Sequence, residues 1–329
     1  MVRLLLNRVV PSAVILMAAA CTNDGADLGF GPLPSYTVSI GVYLDRDGSK
    51  SLTALDTVYQ GARVALFIRG STDTFRIGNT DVTGLLRFNN VPLGQYQVAM
   101  VQRSIGDSLE IQKIENDSLR IEITDSVTGV LARVGYPEVT IQQVRALPAG
   151  KRVFLRGIVL SGVQSFRDTT SHVSDNTGRL RLTGVSLRGG LTGNVPGDSV
   201  SVLGVTSSRA GQPVLDLSVI SRLGTRPAPI AIPVGTGIAA TAQNGVLDAG
   251  LVVITGAIIS DTVTVAPDFK VTVSDGTGSL EMILDGNLPF PRSLFFPGRR
   301  MSQAFGVLVP NGVGGWYFKP RQLGDVVLN

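Results

Sequence analysis

The chain of 329 residues holds one cysteine, Cys21, one histidine, His172, and one tryptophan, Trp316. Each scarcity excludes some chemistry. A single cysteine closes no intrachain disulfide, and one Cys with one His falls short of the three or four ligands a zinc site takes. Neither an H-E-x-x-H run nor a G-x-S-x-G elbow is present. A triad built on His172 would have to draw on Ser171 or Ser174, but adjacent strand residues point to opposite faces. His172 therefore reads as a polar surface residue, and the chain reads as a non-enzyme with no catalytic residue. The run "GTGIAA" (235–240) imitates part of a dinucleotide loop but lacks the strand-to-helix context, so it reads as a loop. No run after the first twenty residues is long and apolar enough to cross a membrane, although 43% of the residues are hydrophobic.

What is present starts at the N-terminus. "MVRLLLNR" carries Arg3 and Arg8 and no acid, and Val9–Ala20 is short, uncharged and mostly apolar, ending in three alanines. That pattern is a secretory signal peptide over 1–20, too short for a spanning helix. "AAAC" (18–21) resembles the lipobox of bacterial lipoproteins, with Ala18 where the usual pattern has Leu. The resemblance implies that the signal is cut before Cys21, that Cys21 is acylated, and that the membrane is a partner through the lipid. Thr22 rather than Asp after the cysteine implies sorting to the outer membrane. Residues 21–35, rich in Gly, Pro, Asp and Asn after Cys21, read as a tether.

The body of the chain has 39 Gly and 17 Pro and no helical pattern a dozen residues long. Short alternating runs recur instead: "YTVSIGVYL" (36–44), "LRIEIT" (119–124), "VSVLGV" (200–205), "FKVTVS" (269–274). Strands at this spacing, separated by turn residues, predict an all-β fold of sandwiches or barrels.

Within 36–134, "TDVTGLLRFNNVPLGQYQV" (80–98) alternates at Leu86 and Phe88, turns, and alternates again at Tyr96 and Val98. Gly84, Phe88, Asn90, Val91, Pro92, Gly94, Tyr96 and Val98 resemble the closing hairpin of the Cna-B, SdrD-B and carboxypeptidase-regulatory β-sandwiches. The resemblance implies an Ig/transthyretin-like sandwich acting as a stalk or spacer. Upstream, "DRDGSKSLTALD" (45–56) puts Asp45, Asp47, Ser49, Ser51 and Asp56 at positions 1, 3, 5, 7 and 12, where a calcium loop places oxygen ligands. Against this, position 6 is Lys50 rather than Gly and position 12 is Asp rather than Glu. A solvated loop at the sandwich edge is the plainer alternative.

Residues 138–329 repeat at an offset near one hundred. "VFLRGIVLSG" (153–162) matches "VVITGAIISD" (252–261), and "VSDNTGRLRL" (173–182) matches "VSDGTGSLEM" (273–282). Two copies of one small β domain are expected, at 138–226 and 235–329. A strand with a central Gly, a hairpin closed by D-x-T-G, and a "PG" turn before a fourth strand resemble the OB-fold modules of exported bacterial proteins. The resemblance implies tandem five-stranded barrels. Trp316 and Phe318 share a strand face and read as core. Over 139–224 the first copy is net basic, with only Asp168, Asp175, Asp198 and Asp216 as acids, and Arg152, Arg156, Arg179 and Arg181 are its candidate ligand-binding residues. Its aromatics, Phe154 and Phe166, are few, so charge and a stacking platform do not coincide. The resulting expectation is an exported, membrane-anchored, non-enzymatic lipoprotein for surface display or binding, with a protein or glycan partner and no cofactor beyond a calcium ion. A nucleic-acid-binding barrel, or an accessory subunit of an exported hydrolase or nuclease, is the alternative.

Overall fold

The computed structural model describes residues 33–112, 119–123, 127–162, 165–184 and 194–329. The signal segment, Cys21, most of the tether and Arg188 lie outside the described residues.

The first module is built from β1 (Ser35–Asp45), β2 (Thr57–Val58), β3 (Arg63–Ile68), β4 (Thr74–Asn79), β5 (Leu85–Pro92), β6 (Gly94–Met100), β7 (Glu110–Gln112), β8 (Leu119–Ile123) and β9 (Val127–Gly135). One sheet runs β2-β1-β9-β7 with β5 also paired to β1, and the other runs β4-β3-β6-β8. Val38, Ile40 and Val42 on β1 face Val64 and Leu66 on β3, with Phe88, Tyr96 and Val98 completing one core. The predicted hairpin at 85–98 is not one. β5 pairs with β1 and β6 with β3 and β8, so the two strands belong to opposite sheets. Leu93 alone separates them, Asn90 takes a φ of 54°, and Pro92 has no N–H to give a ladder. The chain therefore turns across the sandwich rather than back along one sheet.

The second module opens with a short helix, α1 (Ile141–Ala146), followed by β10 (Arg152–Ser161), β11 (Ser171–Ser174), β12 (Arg179–Thr183), β13 (Asp198–Arg209) and β14 (Gln212–Thr225). These strands close into a barrel in the order β10-β11-β12-β14-β13, with β12 and β14 parallel. Val153, Leu155, Val159, Val173, Leu180, Leu182, Val200, Val202 and Leu215 alternate inward to fill it.

The third module repeats the plan with β15 (Ile232–Pro233), α2 (Thr236–Thr241), β16 (Leu251–Thr255), β17 (Ile258–Val265), β18 (Asp268–Ser274), β19 (Ser279–Leu284), β20 (Met301–Pro310), β21 (Trp316–Lys319) and β22 (Val326–Leu328). The sheet path β16-β20-β21-β19-β18-β17 begins and ends on two halves of one strand, broken at Gly256 with φ 69°. The order is that of the first barrel. Trp316 and Phe318 sit in its core, 8% and 0% exposed.

The segment expected to be a loop at 235–240 forms α2. Its first amides are satisfied from elsewhere in the fold. The Thr236 N–H donates to Asp275 Oδ2 at 3.0 Å, and the Gly237 N–H to Thr277 Oγ1 at 3.0 Å. In the first barrel the Ile141 N–H donates to Asp175 Oδ2 at 2.8 Å and the Gln142 N–H to Thr177 Oγ1 at 3.1 Å. Thus each D-x-T-G turn closes a hairpin and also caps the helix that precedes strand one.

Candidate functional site

The loop after β1 brings three carboxylates together. Ligand atoms of Asp45, Asp47 and Asp56 all lie within 4.8 Å of one another. Backbone amides fold the loop around them. Asp45 accepts from the amides of Gly48 and Lys50, Asp47 from Ser49, and Asp56 from Arg46 and Thr53. Thr53 Oγ1 donates to Asp47 Oδ2 at 2.9 Å. Burial pushes the Asp45 carboxyl above the ordinary aspartate value, only partly offset by its two amide donors. Burial would raise Asp47 too, but donors from Ser49 and Thr53 hold it low. Arg133 Nε lies 3.8 Å from Asp45 Oδ2. Among the described residues these three carboxylates face the one guanidinium of Arg133, and an all-oxygen donor set fits a hard divalent cation such as calcium. Ser49, another expected ligand, turns its hydroxyl to the carbonyl of Ser51 at 2.8 Å.

The loop is only partly a solvated edge: residues 50–52 and 54–55 are exposed, but its start is buried. Asp45 and Asp47 are 4% and 6% exposed because the loop packs on the first barrel. Ser201 Oγ donates to the Asp47 carbonyl at 2.8 Å, and Arg156 Nη2 to the Gly48 carbonyl at 3.3 Å. Arg156 is further held by Glu138 at 3.1 Å and lies over the Phe154 ring.

The four arginines singled out in the sequence do not form one groove. Arg152 and Arg156 lie on β10 towards the sandwich, and Arg152 stacks on and bonds to Tyr136. Arg179 and Arg181 lie on β12. Arg181 is 8% exposed and donates to the Arg209 carbonyl at 3.1 Å. Burial lowers the pKa of both β12 arginines.

His172, expected at the surface, is wholly buried. It lies on β11, which packs at the seam between the barrels. Its Nδ1 pairs with Ser161 Oγ at 2.8 Å, and Phe166 meets its ring edge-on. Burial and the neighbouring Arg181 cation push its pKa down to about 3, against a smaller opposing pull from Asp168. The partner serine is not Ser171 or Ser174 but Ser161, eleven residues away on the paired strand. Ser161 is also 0% exposed, so this Ser–His pair offers no hydroxyl to a substrate.

The same seam holds a charged cluster. Lys319 Nζ contacts Asp168 Oδ2 at 3.0 Å and Asp285 Oδ2 at 3.1 Å, and it lies 4.3 Å from the Phe166 ring centroid. Arg321 donates to the Leu160 carbonyl across the seam at 2.8 Å and pairs with Asp325. Leu160 and Phe166 of one barrel share an apolar cluster with Leu251, Val307 and Val309 of the other. Sequence reading missed Ser161 and Lys319; no motif marks them, because Ser161 takes its partner from the paired strand and Lys319 takes Asp168 from the other barrel.

No protein-family model matches the chain, and no curated protein matches it. Solved structures that are similar include the hypothetical protein ygiW from E. coli, 18% identical over 27% of this chain and 98% of that one, TM-score 0.24. A murine DNA-binding protein bound with double-stranded DNA is 14% identical over 50% of this chain and 90% of its own, TM-score 0.29. The shaft pilin SpaA from Lactobacillus rhamnosus GG, in a single-mutant form, is 9% identical over 59% and 95%, TM-score 0.25. Likenesses this slight decide nothing about activity. By its own topology the chain is an all-β protein of one two-sheet sandwich, a closed five-stranded barrel, and an eight-stranded sheet whose central strands follow the strand order of that barrel.

Proposed function

We propose that this protein is a non-enzymatic, exported lipoprotein, anchored to the outer membrane through Cys21, whose sandwich holds the barrel pair away from the membrane for display or binding. The observation that carries this reading is the way the joints are built. The Asp47–Gly48 loop is bonded to Ser201 and Arg156 of the first barrel, and Lys319, Arg321 and the Leu160 cluster join the two barrels. Polar groups that could have served a ligand or a reaction are spent on holding neighbouring modules, which suits a stiff spacer. A divalent cation at Asp45, Asp47 and Asp56 would neutralise the loop that forms the first joint; its contribution there is charge balance and rigidity, not chemistry.

A nucleic-acid-binding barrel is the competing reading. The engaged state of Arg152, Arg156 and Arg181 counts against it, since a backbone-tracking groove needs free cations in a row. The test of the main reading is fractionation of cells expressing the intact chain and Cys21→Ser, with labelling by a radioactive fatty acid. The intact chain should be labelled and sediment with outer membranes, and the variant should lose both properties. An intact chain that is unlabelled and soluble overturns the anchor.

A further inference from the structure

A cleft of about 320 Å³ opens where α1 and the Asp175–Gly178 turn of the first barrel meet the 246–248 segment of the second. Two arginines line it, in different states. Arg145 is fixed: its Nη1 donates to Asp248 Oδ2 at 2.9 Å and to the Arg179 carbonyl at 3.2 Å. The Asp248 side chain is 1% exposed, so this pair is close to neutral and spans the two barrels. Arg179 is different. It is half-buried, yet among the described residues its guanidinium has no hydrogen bond and no ion pair. Its Cδ leans on Gly250, where an added Cβ would come within 3.4 Å. A partly desolvated cation without a counter-charge is costly, and a bound oxyanion removes that cost. A guanidinium also presents a planar fork that matches a carboxylate or phosphate two oxygens at a time.

The rest of the lining limits what the oxyanion can be attached to. The volume sits at the small end of ligand sites, room for one or two rings and not for a strand of nucleic acid. The Gln142 side chain makes no hydrogen bond among the described residues, and Val246, 69% exposed, supplies one apolar wall. We infer that this cleft binds an acidic monosaccharide: its carboxylate or phosphate on Arg179, its hydroxyls on Gln142 and the remaining N–H groups of Arg145, its ring against Val246. The inference rests on the reading of the barrel pair as the binding end, and it supplies that reading with a ligand class.

The test uses the full-length chain in detergent, titrated calorimetrically with galacturonate, glucose 6-phosphate, inorganic phosphate and neutral galactose. At least one sugar acid should bind saturably, galactose should not, and Arg179→Gln should weaken binding tenfold or more with a melting temperature no lower than the parent's. Arg179→Lys, which keeps the charge and loses the fork, should fall between the two. Arg103→Gln, in the sandwich, should bind as the parent does. The inference is overturned if neither acid binds, if Arg179→Gln binds as well as the parent, or if inorganic phosphate binds as tightly as the sugar phosphate. A DNA duplex that displaces the acid and binds more tightly also overturns it. Failure here is separable from failure of the anchor: a labelled, membrane-bound chain that ignores both acids refutes only the ligand, and an unlabelled, soluble chain that binds one refutes only the address.

Discussion

Gly48 lies flat against the ring of Phe154, so close that a Cβ on the glycine would sit 1.9 Å from the phenylalanine Cζ. Its φ of 68° is also one that side chains other than glycine rarely adopt. Both facts place the tightest point of the sandwich–barrel joint at one residue. Gly48→Val should cost about 1–3 kcal/mol through overpacking, with backbone strain in addition. It should also loosen the joint: small-angle scattering should show a broader distribution of sizes, and protease should cut nearer residue 136. A variant with the parent's melting temperature and scattering curve would mean that the joint bears no load.

The helix caps make a second prediction. Burial would raise the Asp275 carboxyl, but hydrogen bonds from Thr277 and Thr236 hold it far below the ordinary aspartate value. A carboxylate depressed in the folded state stabilises the fold above the unfolded aspartate pKa of about 3.9, and the contribution is lost as pH falls below that. Asp275→Ala should cost about 0.5–2 kcal/mol at neutral pH, as the loss of a helix cap does. The gap between variant and parent in denaturant titrations should shrink on going from pH 6 to pH 3. A gap that stays constant would show that the charge of Asp275 contributes nothing.

The contrast between the two D-x-T-G turns and His172 shows what a sequence can and cannot carry. Alternation of Val, Leu and Ile reports a strand and its inward face, and this is why the barrels, the core role of Trp316 and Phe318, and the duplicated hairpins are legible. The second use of Asp175 and Asp275 is not, because the amides they cap come 34 and 39 residues earlier. For the same reason "GTGIAA" reads as a loop: its helix is stabilised by side chains from another hairpin. His172 reads as exposed when its barrel is taken alone, whereas the second barrel covers that face. Likewise Arg152, Arg156 and Arg181 read as free until the neighbours that engage them are in place. Module interiors follow from local periodicity; seams between modules depend on which surfaces meet.

Calcium supplies the third prediction. With Asp45, Asp47 and Asp56 gathered within 4.8 Å, added calcium should raise the unfolding temperature of the intact chain. A ligand at a hundred times its dissociation constant adds about 2.7 kcal/mol. The double variant Asp47→Asn, Asp56→Asn should show no rise, and magnesium, which demands a tighter octahedral shell, should act more weakly on the parent. An unfolding temperature indifferent to calcium between micromolar and millimolar levels would leave the loop as a hydrogen-bonded clasp only.

The last prediction concerns the seam between the barrels. His172 is neutral in the folded protein because burial and Arg181 disfavour its charged form, and its pKa falls to about 3. Lys319 adds to that repulsion, and Asp168, itself held low by Lys319 and Thr170 despite burial, opposes it. In the unfolded chain the imidazole takes up its proton near pH 6.5. Between those two values the unfolded state binds the additional proton, so stability is complete above about pH 6.5 and declines as pH falls towards 3. One proton changes stability by about 1.4 kcal/mol per pH unit within that window. His172→Gln, which keeps a polar partner for Ser161 and cannot titrate, should be less stable than the parent at pH 7.5 because it disturbs a packed ring, yet lose less stability on going to pH 5. The measurement is the urea midpoint of both proteins at the two pH values. Parallel losses in parent and variant would show that the buried imidazole is not what makes the barrel seam sensitive to acid, and would shift attention to the Lys319, Asp168 and Asp285 cluster on the same seam.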